Sequence, residues 1–401
     1  MSIKNKEGNS VVIFENRFRY LRPLYVVVLL LASLGCWAQT NLQTNAEAKG
    51  QIFSVASLNV DGLPQKVLGI SVNSDGPGSS GTSRISRYLT QKGYDVIGVQ
   101  EDFEYDHELR SSLSEDYDYG EWQGGILDNI GWSAFTSLKV YTDGLRLFWR
   151  KEHKLTQEEA VTWDDSYGKF DHAWDDMAAK GFRRAEVTLG NGCSFVVYDM
   201  HMDASDDDDE KTGDDWHDKA ARWSQWRQLC SAVMDKLDDR PVVLLGDMNS
   251  YYTRDSILAL FFHPIESTGQ YTVHDAWVEF VRQGNYPAIG DQQLSTSEYG
   301  FVLGETLDKI LYINPVKGDR LSLVDYHVET DYTWDDGSPL GDHYPIAAVF
   351  RLESEEATIV SEVSSRQNVR YYDLNGREVS QPFRGMYIMR YSDGRTQKVF
   401  F

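Results

Sequence analysis

The sequence predicts an α/β fold. Apolar, β-branched runs of strand length recur between residues 51 and 352, amphipathic stretches of helical period separate some of them, and several of the runs end in an acid, an amide or an imidazole. The polar strand ends matter because an α/β sheet gathers the carboxyl ends of its strands on one rim.

Ahead of that region, Lys4, Lys6, Arg17, Arg19 and Arg22 precede the apolar run LYVVVLLLASLG (24–35), which is short for a bilayer span and laid out like a secretory h-region. Residues 1–38 are therefore expected to be a signal peptide cut after Ala38, with 39–50 a polar linker. Lipidation at Cys36 is the alternative, although Ser33, Leu34 and Gly35 match a lipobox poorly. The expected location is secreted or cell-surface, with the periplasm as the alternative.

Eight segments read as strands: IFSVASLNV, YDVIGVQE, GLRLFWR, RRAEVTL, CSFVVYDMHMD, PVVLLGDMN, LDKILYIN and HYPIAAVFRL. RISRYLTQKG (84–93) and KAARWSQWRQLCSAVMDKLDD (219–239) read as helices; the second sets Ala221, Trp223, Trp226, Leu229, Cys230, Val233 and Leu237 at helical spacing, which predicts core tryptophans. NSDGPGSSGTSR (73–84) is glycine-rich but lacks the P-loop lysine, so a surface loop is expected. DASDDDDEKTGDD (203–215) lacks the ligand spacing of an EF-hand and reads as a solvated loop, with Asp203 set apart by its closeness to His201. Cys193 is expected on a strand and Cys230 on a helix; a bridge and two free thiols both stay open.

Beyond the core, residues 353–365 form an acidic linker, and 366–401 carry Asn375-Gly376 and Asp393-Gly394 as hairpin turns between short β runs. The catalytic domain is thus expected over 51–352.

The 401 residues hold 62 acids against 39 lysines and arginines, a formal charge of -23. Non-specific binding of polyanions draws on many basic side chains, so it is disfavoured here. KGFRR (180–184) is the only compact basic cluster inside the core region.

Asn59, Glu101 and His201 end strands, Asp247 and Asn249 end another, Asp308 opens one, and Asp342 and His343 precede the last. Each alone is an ordinary strand-end residue. Recurring together, they fit metal-assisted hydrolysis of a phosphate ester: Mg²⁺ takes hard oxygen ligands, here Glu101 and Asp342, and an imidazole held by a carboxylate, here His343 with Asp308, takes a proton from water. Asp247 accepts a proton or orients the water, and Asn249 donates to the more negative transition state.

SLNVDGLP, GVQED, YDMHMDA, GDMNS, LDKILY and GDHYPI, in this order over about 290 residues, resemble the motifs of the endonuclease/exonuclease/phosphatase superfamily. That resemblance implies a four-layered α/β sandwich of two mixed sheets flanked by helices. It also implies Asn59 as the amide orienting the metal site, Glu101 as the main Mg²⁺ ligand with Mn²⁺ as an alternative ion, Asp342 as the second metal-side acid, His201 as a phosphate-oxygen donor, Asp247 and Asn249 as the water and transition-state pair, and His343 as the catalytic imidazole with Asp308 behind it. Asp61 is similar to abasic-site endonucleases, whereas the histidine at 201 resembles secreted deoxyribonucleases and sphingomyelinases. The closest resemblance is to exported, sphingomyelinase-like phosphodiesterases, which implies a phospholipid or small phosphodiester substrate and contact with a membrane surface, nucleic acid being the less favoured partner. An extracellular nuclease, an inositol phosphate phosphatase and a non-catalytic binding module are the alternatives. Trp122, Trp132, Trp163 and Trp174 are candidates for meeting a choline head group, with core packing as the other reading of each. The tail resembles the type IX sorting domains of Bacteroidetes, implying secretion machinery as a partner.

Overall fold

The computed structural model describes residues 3–4, 10–11, 50–67, 70–71, 76–122, 142–167, 178–205, 216–353, 370–372, 377–379, 386–390 and 396–400. The chain divides into two compact units, 1–50 and 51–401. In the first, Ile3–Lys4 pairs antiparallel with Ser10–Val11; the run 24–35 and Cys36 lie outside the described residues. The rest of this subsection concerns the second unit.

Its twelve main strands are β1 (Gln51–Asn59), β2 (Val96–Gln100), β3 (Tyr117–Tyr119), β4 (Arg146–Arg150), β5 (Lys154–Thr162), β6 (Gly181–Thr188), β7 (Ser194–His201), β8 (Val242–Asp247), β9 (Tyr271–Asp275), β10 (Asp308–Pro315), β11 (Arg320–Val328) and β12 (Ile346–Glu353). They form two six-stranded mixed sheets, ordered β11-β12-β1-β2-β4-β3 and β9-β10-β8-β7-β6-β5. Each sheet contains one parallel pair, β1 with β2 and β7 with β8.

Side chains alternate across each strand, so one strand can serve two cores. On β1, Phe53 and Val55 join the core between the sheets, while Ala56 and Leu58 join a second core with Ile85, Leu89, Leu109 and Leu113. Those last four belong to helices α1 (Gly78–Lys92) and α2 (Asp106–Asp116), which cover that sheet. Helix α3 (Trp216–Met234) adds Trp226, Leu229 and Val233 to the other sheet's core, and Trp226 Nε1 donates to Ser250 Oγ at 3.0 Å. The result is a four-layered α/β sandwich.

Where the sheets face one another, Phe53 stacks on Phe195 at 4.5 Å between ring centroids. Gly98 is required there, because a Cβ would fall 1.9 Å from Leu245 Cδ1 and 2.9 Å from Asp199 Oδ1. Gln100 Nε2 donates to that Asp199 carboxyl at 2.6 Å, and burial pushes the acid well above the usual carboxylate range.

Several expectations need correction. The stretch 78–84 is not loop: helix α1 starts at Gly78, with Thr82 Oγ1 bonded to Gly78 O at 2.8 Å, and Gly81 packs closely on Pro77 and Trp334. Glycine spacing hid a helix whose small residues permit that contact. Helix α3 starts three residues before the expected 219 and ends at Met234, short of the expected 239, and Trp223 is only half-buried while Trp226 is fully buried. Cys193 precedes its strand, and Cys193 and Cys230 are free thiols. Asp203 is buried, accepting from Tyr167 N and Gln225 Nε2; residues 206–215, 73–75, Trp132 and Trp174 lie outside the described residues. In the tail, Glu378–Val379, Arg370–Tyr372, Met386–Arg390 and Thr396–Phe400 form a four-stranded antiparallel sheet in that order; the two turn dipeptides and the linker 354–365 lie outside the described residues.

One ion pair gives a pH-dependent stability. Arg240 reaches both oxygens of Glu186 at 2.8 and 3.0 Å, and its hydrogen bonds, helped by Arg184, pull the Glu186 carboxyl down to about 2. A depressed carboxylate stabilises the fold above its unfolded pKa, roughly 4.3, and that contribution is lost as pH falls through about 2. Glu186→Gln is expected to lower the melting temperature at pH 7 by about 2–4 °C, on the order of 1 kcal/mol for a partly exposed pair. Melting curves of parent and variant should converge toward pH 2; a constant gap across that range would refute the assignment.

Candidate active site

Strand register gathers the site. His201 on β7 is opposite Asp247 on β8, and Asp247 is opposite Asp308 on β10, so three functional side chains line one face of three adjacent strands. In the facing sheet, Asn59 at the end of β1 is opposite Gln100 on β2, with Glu101 next in the chain. Both parallel pairs thus deliver their carboxyl ends to the same place.

Asp247 is the hub. Its Oδ2 accepts from Asn59 Nδ2 at 3.1 Å and lies 3.5 Å from His201 Nε2 and 3.6 Å from His343 Nε2, while Oδ1 accepts from Asn249 N at 3.0 Å. Asn59 Nδ2 also donates to Glu101 Oε1 at 2.9 Å, and Asn59 Oδ1 accepts from Asp61 N. His201 Nε2 is 3.9 Å from Glu101 Oε1. His343 Nδ1 lies 2.7 Å from Asp308 Oδ2, and Asn249 Nδ2 donates to Met202 O at 2.9 Å. Asp342 alone of the eight is exposed, at the mouth. The mouth opens as a cavity of about 120 Å³ lined by Tyr251, Phe301, Asp308, Asp342, His343 and Tyr344. A larger cavity of about 520 Å³, between Asp238 and Lys317, holds none of the eight.

The backbone is strained where it turns the site residues inward. Asp61, Glu101 and Asn249 have φ of 48°, 60° and 46°, in the left-handed region that non-glycine residues seldom occupy. Gly62 lets the turn after β1 lie against the turn after β2; a Cβ there would sit 2.2 Å from Glu101 O.

Burial raises the Glu101 carboxyl to about 7; the Lys180 charge and the Asn59 hydrogen bond pull it down, and Asp342 and Asp61 push it up. Burial also raises Asp247, with His343 opposing and Asp308 adding to the rise. Burial holds His201 well below the ordinary imidazole value, and Lys180 and His343 deepen this, so His201 is neutral. For His343, burial works downward, but Asp308, Asp247 and Asp342 outweigh it and hold the ring well above its ordinary value.

The residues fit a hard divalent cation. Glu101 and Asp342 would supply carboxylate oxygens, Asn59 holds the first of them, and Asp247, Asp308 and His343 bring ligand atoms within 4.8 Å of one another, with no thiol among them. The Glu101 carboxyl, raised chiefly by burial, would gain a charge partner in a bound dication.

Sequence reasoning passed over Lys180 and Tyr332 here, and it offered Trp163 and Trp122 for either head-group contact or core packing. Lys180, read only as part of a basic cluster, is buried within electrostatic reach of Glu101, Asp247 and His201. Trp163 is buried and donates from Nε1 to His201 O at 2.7 Å, so it fixes the strand end and offers no open ring face. Trp122 is half-buried and donates to Asp102 O. Tyr332, in the segment between β11 and β12, carried no motif signal. The remaining arginines of KGFRR are spent inside the fold: Arg183 pairs with Asp143 and Glu158, Arg184 with Glu186, and both are buried.

Fold and site together define a two-sheet α/β sandwich with a carboxylate, amide and imidazole centre at one rim, the arrangement that the motif resemblance implied. No family model matches the sequence, and no curated protein does. Among solved structures the chain is similar to D. rerio TDP2 humanized by 14 mutations, at 19% identity and TM-score 0.48 over 75% of this chain and 98% of that one. It is similar to beta toxin 275-280 from Staphylococcus aureus at 18% identity and TM-score 0.46, over 74% and 99% of the two chains. It is also similar to the endonuclease/exonuclease/phosphatase from Bacteroides vulgatus at 16% identity and TM-score 0.47, over 76% and 100%. The chemistry rests on this chain's own residues.

Proposed function

We propose that the protein is an exported, Mg²⁺-dependent phosphodiesterase that hydrolyses sphingomyelin or a related phospholipid by in-line attack of water. The observation that carries the hydrolase reading is the convergence of Asn59, His201 and His343 on the Asp247 carboxylate, with Glu101 held by the same Asn59 amide. In its neutral form His343, held at Nδ1 by Asp308, presents Nε2 as proton acceptor, and the two flanking acids stabilise the imidazolium it becomes; a dication beside Asp342 would offset one of the charges that raise the ring and so favour that neutral form. Asp247 orients the attacking water, and Asn249 together with neutral His201 donates to the phosphoryl oxygens as negative charge grows. When bound, the ion neutralises charge on the phosphoryl group.

Two features support a lipid over a nucleic acid. The one compact basic cluster is buried in ion pairs, so it offers no track for successive phosphates. Beside the cavity, Phe301 packs on Tyr344, and the adjoining Val302 and Leu303 are 78% and 56% exposed. Such an apolar edge suits the interfacial part of a lipid better than a polyanion.

The test incubates the mature protein with Mg²⁺ at physiological salt and sphingomyelin, other phospholipids, duplex DNA, RNA or inositol phosphates. Release of phosphorylated head group from a lipid, with feeble DNA cleavage, is expected. Efficient DNA hydrolysis without head-group release would move the nuclease reading to first place.

A further inference from the structure

The segment between β11 and β12 delivers Asp342 and His343, and it is tied down before it reaches them. Glu329 N donates to Pro345 O at 2.8 Å, closing the base of the segment. The Glu329 side chain, buried, accepts from Tyr88 at 3.0 Å, from Lys92 at 2.5 Å and from Tyr94. Farther along, Arg84 of α1 pairs with Asp335 at 2.7 Å and lies over the Trp334 ring.

Within this clamped segment, Tyr332 is 1% exposed and its ring meets Tyr88 edge-on at 5.1 Å. Its carbonyl accepts from Leu340 N at 3.4 Å, two residues before Asp342. Gly341 lies against the turn after β1, where a Cβ would be 3.7 Å from Asp61 Cβ. The same segment therefore carries Tyr332 and Asp342 past the turn after β1, and the charges of Asp61 and Asp342 add to burial in raising the pKa of the Tyr332 hydroxyl. Yet that hydroxyl, wholly buried, has no hydrogen-bond partner among the described residues. A buried hydroxyl left unpaired costs on the order of 1–3 kcal/mol, and Phe would fill the same space without that cost.

We propose that Tyr332 is a positioning residue of the metal site, its hydroxyl donating a hydrogen bond to the oxygen ligands gathered around the ion at Asp342. Outer hydrogen bonds of this kind fix a ligand's orientation and tune its affinity for metal. The inference rests on the metal-dependent reading above and adds a residue to it.

Mn²⁺ is the probe, its free concentration read by electron paramagnetic resonance during titration of the full chain, with no substrate present. Tyr332→Phe is expected to weaken Mn²⁺ binding about 10–100-fold. Its metal-free melting temperature should equal or exceed the parent's, because the variant sheds an unpaired polar group. Tyr88→Phe, which keeps the Tyr332 hydroxyl, is expected to lower the melting temperature and leave Mn²⁺ affinity within about threefold, well short of the loss expected for a deleted ligand partner. Equal Mn²⁺ affinity in parent and Tyr332→Phe would overturn the inference while the metal-dependent reading stands. A clear drop in the melting temperature of metal-free Tyr332→Phe would also overturn it, since the hydroxyl would then have a partner within the fold. A parent that binds no Mn²⁺ sinks the metal reading itself.

Discussion

Replacing His343 with alanine is expected to lower turnover by ~10²–10⁴-fold, the range for loss of a positioned general base. The imidazole sits between two carboxylates, Asp308 Oδ2 at 2.7 Å from Nδ1 and Asp247 Oδ2 at 3.6 Å from Nε2. Among the described residues the other imidazole at Asp247 is His201, and burial holds it well below the ordinary imidazole value, which makes it a poor proton acceptor. Asp247→Asn should be comparably damaging for a different reason. The amide keeps the shape but loses the charge, and with its oxygen kept toward Asn59, His201 and His343 its NH2 would face the Asn249 N–H, donor against donor. Steady-state rates on a soluble phosphodiester such as bis(p-nitrophenyl) phosphate, at saturating Mg²⁺, separate these losses from effects on lipid binding. Circular dichroism serves as the folding control. If both variants stay within a factor of two of the parent, this centre does not carry the chemistry.

Chelation is expected to abolish activity, and Mg²⁺ or Mn²⁺ to restore it. Glu101→Gln should raise the metal concentration for half-maximal rate by ~10²-fold or more, since removing one unit charge from direct contact with a dication costs several kcal/mol even at a high effective dielectric. The substitution keeps the acceptor for Asn59 Nδ2, so the turn after β2 should hold its shape. Asp342→Asn should have the weaker effect, because that side chain is exposed and better screened. Full activity after dialysis against chelator would remove the metal from the scheme. An unchanged metal requirement in Glu101→Gln would move the ligand set elsewhere.

The structure makes clear how much of this was legible beforehand. All eight segments read as strands are strands, because β-branched runs buried on both faces leave a continuous apolar signal. β3, β5, β9 and β11 were not read: each is at a sheet edge, where one side is solvated and polar residues interrupt the pattern. The first turns of α1 were misread because Gly78 and Gly81 serve packing against Gln65, Pro77 and Trp334, and contact partners distant in sequence leave no local signature.

By itself, the sequence determined the alternation that makes an α/β fold, the strand ends at which Asn59, Glu101, His201, Asp247 and Asn249 stand, and the order of motifs that pointed to phosphoester chemistry. Tertiary structure decided the rest. Only pairing register could place Asp308, 61 residues beyond Asp247, directly opposite it, and only the facing of two sheets could bring Asn59 within 3.1 Å of that same carboxylate. It likewise turned Lys180 inward to the acids, buried the arginines that had looked like a basic patch, and buried the Tyr332 hydroxyl with no hydrogen-bond partner among the described residues. The physical reason is common to all of these. A residue's type and local period are written in its neighbours along the chain, but its partners and its local dielectric are set by segments that reach it only when the sheets close.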